Sequence, residues 1–163
     1  MTSWIVSEEI VPRLVIRRAV AEDLPRIVEL LQQESLDGEQ REDLGPPLPQ
    51  AYADAFAAIE AATDNDVMVA ELDGRIAGTF QLTIIAGLMH VGASVAQVEA
   101  VVVDAPLRRH RVGETMMRWA IAEARRRGCS RVQLTSNKRR TDAHRFYERL
   151  GFVAGYEGFK LAL

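Results

Sequence analysis

Apolar and polar residues alternate from Leu14 to Arg18, the period of a half-buried strand. From Leu24 the spacing changes. Leu24, Ile27, Val28, Leu30 and Leu31 form one helical stripe, opened by Asp23 and Pro25 and fading near Gln33. Ser35 to Pro49 has no period, is rich in Asp and Glu, and carries Gly38, Gly45 and Pro46-Pro47. It predicts a polar loop of unusual length, and such loops carry function more often than short ones. A second helix is predicted from Gln50 to Ala62, with Tyr52, Ala55, Phe56 and Ile59 on one side and Asp64-Asn65-Asp66 breaking it.

Val67 to Leu72 and Ile76 to Ile85 read as two strands joined by Asp73-Gly74, a tight hairpin signal. After a softer turn around Leu88, His90 and Gly92, a long strand runs from Val95 to Asp104. The next helix spans Gly113 to Arg127, with Met116, Met117, Ala120, Ile121 and Ala124 inward and Gly128 as its cap. Arg131 to Ser136 is a strand and Thr141 to Leu150 a helix, and Phe152 to Gly155 and Phe159 to Leu163 read as closing β segments. The order β-α-α-β-β-β-α-β-α-β-β predicts an α/β (α+β) fold. Its mixed open sheet has helices on both faces, antiparallel through hairpins and parallel through helix crossovers.

With no repeat or linker, residues 1–163 read as a single domain, in which Met1 to Pro12 is an arm whose Trp4, Ile5 and Val6 can pack on a neighbour. The lone Cys129 has no internal disulfide partner. No secretory signal and no apolar run near 18 residues is visible, so the expectation is a cytoplasmic chain with no membrane partner.

The net charge of -3 hides a polarity. Arg108 to Arg149 holds 13 Lys and Arg against 4 Asp and Glu, and the remainder 7 against 19. A basic segment suits a polyphosphate and an acidic remainder suits a cationic co-substrate; solvated helix faces are the plainer reading of the same clustering. A nucleic acid partner is disfavoured, because few aromatics interleave with the arginines and the pI is near 5.7.

The basic segment opens on the most informative stretch. The β-branched run Val101-Val102-Val103 stops at Asp104-Ala105-Pro106 and passes through Leu107-Arg108-Arg109-His110-Arg111. It reaches Val112-Gly113-Glu114-Thr115 as helical periodicity begins. Strand, turn and helix in that order place unpaired N–H groups at the positive end of a helix dipole with arginines around them, an anion cradle.

Three segments together resemble the GNAT superfamily of acyl-CoA N-acetyltransferases, over roughly Val67 to Leu163. The first is Arg108-Arg109-His110-Arg111-Val112-Gly113, which matches the family's cofactor signature at Arg108 and Gly113 and departs at Arg111, where the family has glycine. Ordinary helical φ/ψ is expected at Arg111, with its side chain adding to the anion site. The second is Asp142 to Phe152, with Phe146-Tyr147 one turn before Leu150-Gly151-Phe152. Ala143, Phe146, Tyr147 and Leu150 share a helical face, so Tyr147 also reads as a core residue with its hydroxyl at the edge. The third is Gln97 to Val103, with Glu99 as a carboxylate in an apolar strand, costly there unless it faces water or a partner.

The resemblance implies acetyl-CoA as co-substrate, no metal, a sheet that splays at the central strand, and a homodimer by family habit. It implies Glu99 as the base, helped by partial burial, and Tyr147 as the acid toward the departing thiolate. Val101, Val102 and Val103 pair with the pantetheine amides, with an oxyanion donor near Val101. Arg108, Arg109, Arg111, Val112, Gly113, Glu114 and Thr115 meet the pyrophosphate, and Asn137, Arg145 and Phe146 touch the cofactor. Asn137 reads equally as a cap for the following helix.

A covalent route through Cys129 is disfavoured, since no N-terminal dipole or histidine accompanies it. The expected acceptor is a small cationic amine, drawn by Asp37, Glu39, Glu42, Asp43 and Glu99. Leu88, Met89 and His90 would close the other side, with His90 a second base or an exposed turn residue. Acetylation of a protein N-terminus or lysine, and a non-catalytic CoA-binding regulatory domain, are the alternatives.

Overall fold

The computed structural model describes residues 13–35 and 41–163. The expected arm, Met1 to Pro12, and the loop residues Asp37, Gly38 and Glu39 lie outside the described residues. The chain falls into two compact units, 1–133 and 134–163.

The first unit carries β1 (Leu14–Arg18), α1 (Leu24–Gln32), α2 (Gln50–Ala61), β2 (Asn65–Leu72), β3 (Arg75–Ile85), β4 (Val95–Val103), α3 (Val112–Arg126) and all but the last residue of β5 (Arg131–Leu134). Five strands form one mixed sheet in the order β1-β2-β3-β4-β5, and the pairs from β1 to β4 are antiparallel. The hairpin at Asp73-Gly74 has positive φ at both residues, 49° and 77°. That is the handedness a two-residue turn needs to match strand twist.

Period-2 alternation decides what each face of β2 and β3 covers. Val69 joins Ala19, Ile27 and Phe56 in a buried cluster, with Leu24, Leu31 and Val67 against it, so this face meets α1 and α2. Met68 and Phe80 are cross-strand partners on the opposite face, where the Phe80 ring meets Trp119 of α3 edge-on at 5.9 Å. Burying such a side chain is worth about 2–3 kcal/mol. α3 lies close to β3 because Gly78 lacks a Cβ, which would sit 2.8 Å from both Met116 Sδ and the Val102 carbonyl. Asp66 ties the sheet to the end of α3, accepting from Arg18 at 2.8 Å and Arg127 at 2.6 Å.

In the second unit, α4 (Thr141–Arg149) follows a loop. The expected strands at Phe152 to Gly155 and Phe159 to Leu163 do not form; residues 152–163 join no strand. Alternation predicts which face of a strand is apolar, but a strand also needs a neighbour to complete its ladder. Val153, Tyr156, Phe159, Leu161 and Leu163 are all at least 86% exposed. Among the described residues, no helix is long and apolar enough to cross a membrane.

Candidate active site

The site begins with an irregularity in β4. Thr79 pairs with Val102 and Gln81 with Glu99, so Phe80 alone faces two residues, Ala100 and Val101. Ala100 adopts φ +50° to make this bulge. Bulges bend a strand and re-aim its side chains, and here Glu99 and Ala100 reach the surface together. The partial burial expected for Glu99 is absent, because the bulge turns it out of the apolar run. Val102 stays buried, and Val101 and Val103 are half-buried beside it.

Beyond Val103, Ala105–Leu107 form one 3-10 turn and Arg108 is extended. Two arginines then take left-handed backbone, Arg109 at φ +68° and Arg111 at φ +63°, before α3 starts at Val112. This corrects the expectation at Arg111. The residue is the N-cap of α3, and its carbonyl accepts from the Thr115 amide at 3.0 Å and the Thr115 hydroxyl at 3.1 Å. Left-handed residues beside a helix start turn successive N–H groups inward, the concavity that binds anions. The first-turn amides of Val112, Gly113 and Glu114 have no intrahelical acceptor.

The side chains of the turn are arranged differently from the expectation. Arg111 lies on Glu114, Nε to Oε2 at 3.1 Å, and Arg118 joins the same carboxylate at 2.9 Å. These arginine bonds hold the Glu114 carboxyl below the usual carboxylate range despite a smaller opposing effect of burial. Glu114 therefore offers an anion its backbone, not its side chain. Arg108 folds back on the strand end, Nε donating to the Val103 carbonyl at 3.2 Å. Arg109 is exposed.

A pocket of about 470 Å³ opens at the bulge, lined by Glu34, Arg41, Glu42, Gln81, Glu99 and Ala100 among others. Three carboxylates and one guanidinium border it. The acidic loop reaches the pocket through two anchors. Gln32 Oε1 accepts from the amides of Arg41 and Glu42, each at 2.9 Å, and Tyr52 donates its hydroxyl to Glu42 Oε2 at 2.6 Å. That bond, reinforced by slight burial, pushes the Tyr52 phenol up. Ser35 Oγ, also in the lining, is buried without a hydrogen-bond partner among the described residues.

Glu42 and Glu99 both line the pocket, whereas Asp43 lies outside the lining and accepts from the Gly45 amide at 3.0 Å. Leu88, Met89 and His90 are exposed in a turn with left-handed backbone at His90 and Val91, outside the pocket lining. Glu34, Ser35, Arg41 and Gln81 had no sequence signal beyond their polarity. Only the tether at Gln32 and the register of β3 bring them to one wall.

In the second unit the Phe-Tyr…Leu-Gly-Phe pattern has a local physical cause. Leu150 caps α4, Gly151 follows at φ +92°, and its amide donates to the Glu148 carbonyl at 2.9 Å. The Phe152 amide donates to the Tyr147 carbonyl at 3.1 Å. These two bonds define a Schellman end, which brings the residue after the glycine onto the one three before the cap. Phe152 accordingly meets Tyr147 edge-on at 5.8 Å, and Phe146 does so at 5.1 Å. Burial pushes the half-buried Tyr147 phenol up, and the Arg140 charge offsets part of this.

Asn137 works as a turn residue before α4. Its Oδ1 accepts from the Arg139 amide at 2.9 Å, and its carbonyl accepts from the Arg140 amide. Arg145 is exposed, 3.9 Å from Asp142. Burial pushes the Cys129 thiol up, away from the thiolate a covalent route needs. Among the described residues, no three His, Cys, Asp or Glu side chains gather as a metal site.

The chain is similar to known proteins along most of its length. The acetyltransferase (GNAT) family matches residues 25–152. The aminoalkylphosphonate N-acetyltransferase of Salmonella typhimurium is 31% identical over 160 residues, 96% of each chain. Glucosamine 6-phosphate N-acetyltransferase 1 of Oryza sativa subsp. japonica is 34% identical over 112 residues, 66% of each. A crystal structure from Bacillus halodurans C-125, described as a transcriptional regulator, is 37% identical and superposes with a TM-score of 0.87, covering 92% of this chain and 99% of its own. With the bulged central strand, the strand–turn–helix cradle and the Phe-Tyr helix on one chain, this protein belongs to the GNAT family and is an acetyl-CoA-dependent N-acetyltransferase.

Proposed function

We propose that the enzyme moves the acetyl group of acetyl-CoA to the primary amine of a small, cationic molecule by direct attack, within a single domain spanning 1–163. The observation that carries this reading is the pocket at the β4 bulge, where Glu34, Glu42 and Glu99 border about 470 Å³. Its size is that of small-ligand sites and favours a small amine over a protein chain. The left-handed turn with three free first-turn amides fits a pyrophosphate, and it does so through backbone groups.

Acetyl-CoA supplies the activated acyl group. Arg109, Val112, Gly113 and Glu114 would hold its pyrophosphate, Glu114 through its amide, and Thr115 would join them once its hydroxyl leaves the Arg111 carbonyl. Arg108 would add charge once released from Val103, while Arg111 would serve through its left-handed backbone with its side chain kept on Glu114. Val101, Val102 and Val103 would pair with its pantetheine amides, and Asn137, Arg145 and Phe146 would line its arm. Glu99 removes the proton from the bound ammonium, directly or through a water, freeing the nitrogen lone pair. A backbone N–H near Val101 stabilises the negative charge on the carbonyl oxygen. Tyr147 then protonates the departing sulfur, as a phenol held protonated can do.

Arg41 in the same wall favours a second reading, in which the acceptor also carries an anionic group. The relatives named for aminoalkylphosphonate and glucosamine 6-phosphate fit such a zwitterion. Thiol release from acetyl-CoA over a panel of amines, amino phosphonates and lysine peptides tests both. Turnover should favour small amines, Glu99→Gln should lower kcat/KM by about 10²-fold, and Gly113→Trp should abolish acetyl-CoA binding. Turnover confined to peptides, or none with any amine, would overturn the reading.

A further inference from the structure

Behind the acidic pocket lies a second space of about 130 Å³, walled by α1, α2 and the sheet face that carries Val67 and Thr79. Both spaces are bordered by Leu31, Gln81 and Ala100, so the second adjoins the first. It is hollow for a reason legible in α2. Phe56 is buried and Ile59 half-buried where the helix meets the sheet, while the small side chain of Ala55, next to Ile59 and solvent-exposed, leaves the rim of the space open.

The polar groups at its border already have partners. The Thr79 hydroxyl donates to the Met68 carbonyl at 2.9 Å, Tyr52 donates to Glu42, and Gln81 Nε2 donates to Asn65 Oδ1 at 2.9 Å. A buried water needs two to four polar partners, whereas dry apolar cavities of about 150 Å³ take up benzene.

We propose that this space is an apolar subsite for the acceptor, holding a hydrocarbon arm of up to about six carbons on an amine whose ammonium sits among Glu34, Glu42 and Glu99. The inference rests on the acetyltransfer reading above and narrows its acceptor to amines with one short apolar arm. Ala55 and Ile59 then set the length of arm accepted, by narrowing or widening the space from the side of α2.

The test is a kcat/KM series over ethylamine, propylamine, butylamine, pentylamine and benzylamine, with wild type, Ala55→Phe and Ile59→Ala. Wild type should gain about tenfold or more from ethylamine to pentylamine. Ala55→Phe should flatten the series, its kcat/KM for pentylamine falling to that for ethylamine, and Ile59→Ala should move the optimum to a longer arm. Ethylamine turnover shows that each variant is folded. A flat wild-type series, or a length preference that Ala55→Phe leaves untouched, overturns the subsite but not the acetyltransferase. No turnover with any amine overturns both. Aromatic proton shifts of Tyr52 and Phe56 on adding benzylamine without acetyl-CoA give a second readout, and their absence at saturating amine counts against the subsite.

Discussion

Gln33 holds Asp104 with one end of its amide and the chain beyond it with the other. Its Nε2 donates to Asp104 Oδ1 at 3.0 Å, and its Oε1 accepts from the Ala105 amide at 2.9 Å. The preceding residue, Gln32, holds Arg41 and Glu42 of the acidic loop. Adjacent residues at the end of α1 thus fix the start of the anion turn and the wall of the acceptor pocket. Gln33→Ala removes two hydrogen bonds, one to a carboxylate, and should raise KM for acetyl-CoA about tenfold. Acceptor KM should stay within about twofold. Gln32→Ala should do the reverse. Steady-state kinetics with each substrate varied decides it, and the assignment is lost if both variants move the same constant.

Tyr147 is held at its carbonyl and on its ring by the Schellman end at Gly151 and Phe152. Tyr147→Phe keeps the ring contacts and removes the proposed acid, so kcat should fall about 10²-fold with KM little changed. The folded phenol is pushed up, so the protonated form is favoured in the folded state. This contribution to stability is complete below the unfolded pKa of about 10 and is lost as pH rises toward the folded value. Tyr147→Phe should remove that alkaline loss from the melting profile. Gly151→Val forces a β-branched residue to φ +92° and should lower both Tm and kcat.

What the sequence disclosed divides by physical cause. The hairpin at Asp73-Gly74, the stripe of α3 and the glycine end at Gly128 were legible because local chemistry determines them, whereas Gly151, read as opening a β segment, instead ends α4. The bulge at Ala100 was not, since alanine in a β run carries no sign of positive φ. Glu34 and Arg41 reach the pocket wall only through folding of the loop back onto α1, a relation no period encodes. The absent C-terminal strands show the opposite error, a good local pattern at Phe159 to Leu163 without a partner.

Acid should weaken the fold through Asp23. Its carboxylate takes Arg17 at 2.6 Å and the Val20 amide at 2.9 Å, and its side chain is 9% exposed. Burial pushes its pKa up, but the Arg17 and Val20 bonds outweigh this and the net shift is downward. The stabilisation is therefore present above the unfolded carboxyl value and is lost as pH falls through about 4 and below. Asp23→Asn should cost about 1–3 kcal/mol at neutral pH. Its melting temperature should depend less on pH between about 5 and 2 than that of wild type. Equal slopes would show that other carboxylates govern acid unfolding.

Arg111 tests the backbone of the cradle directly. A non-glycine residue in left-handed conformation costs roughly 1–2 kcal/mol, and its ion pair with Glu114 is 59% exposed on the arginine side and worth little. Glycine removes the strain but gives back about 0.5–1 kcal/mol of chain entropy, alanine keeps the strain, and valine adds a branched Cβ to it. Stability should therefore rank Arg111→Gly above Arg111→Ala above Arg111→Val in thermal melts. The helical ranking, with alanine above glycine by about 1 kcal/mol, would mean that the residue is helical and the left-handed turn wrong. Acetyl-CoA KM should change by less than about threefold in Arg111→Gly, since a lost exposed charge is worth under about 1 kcal/mol. A much larger rise would show that the side chain leaves Glu114 for the anion on binding.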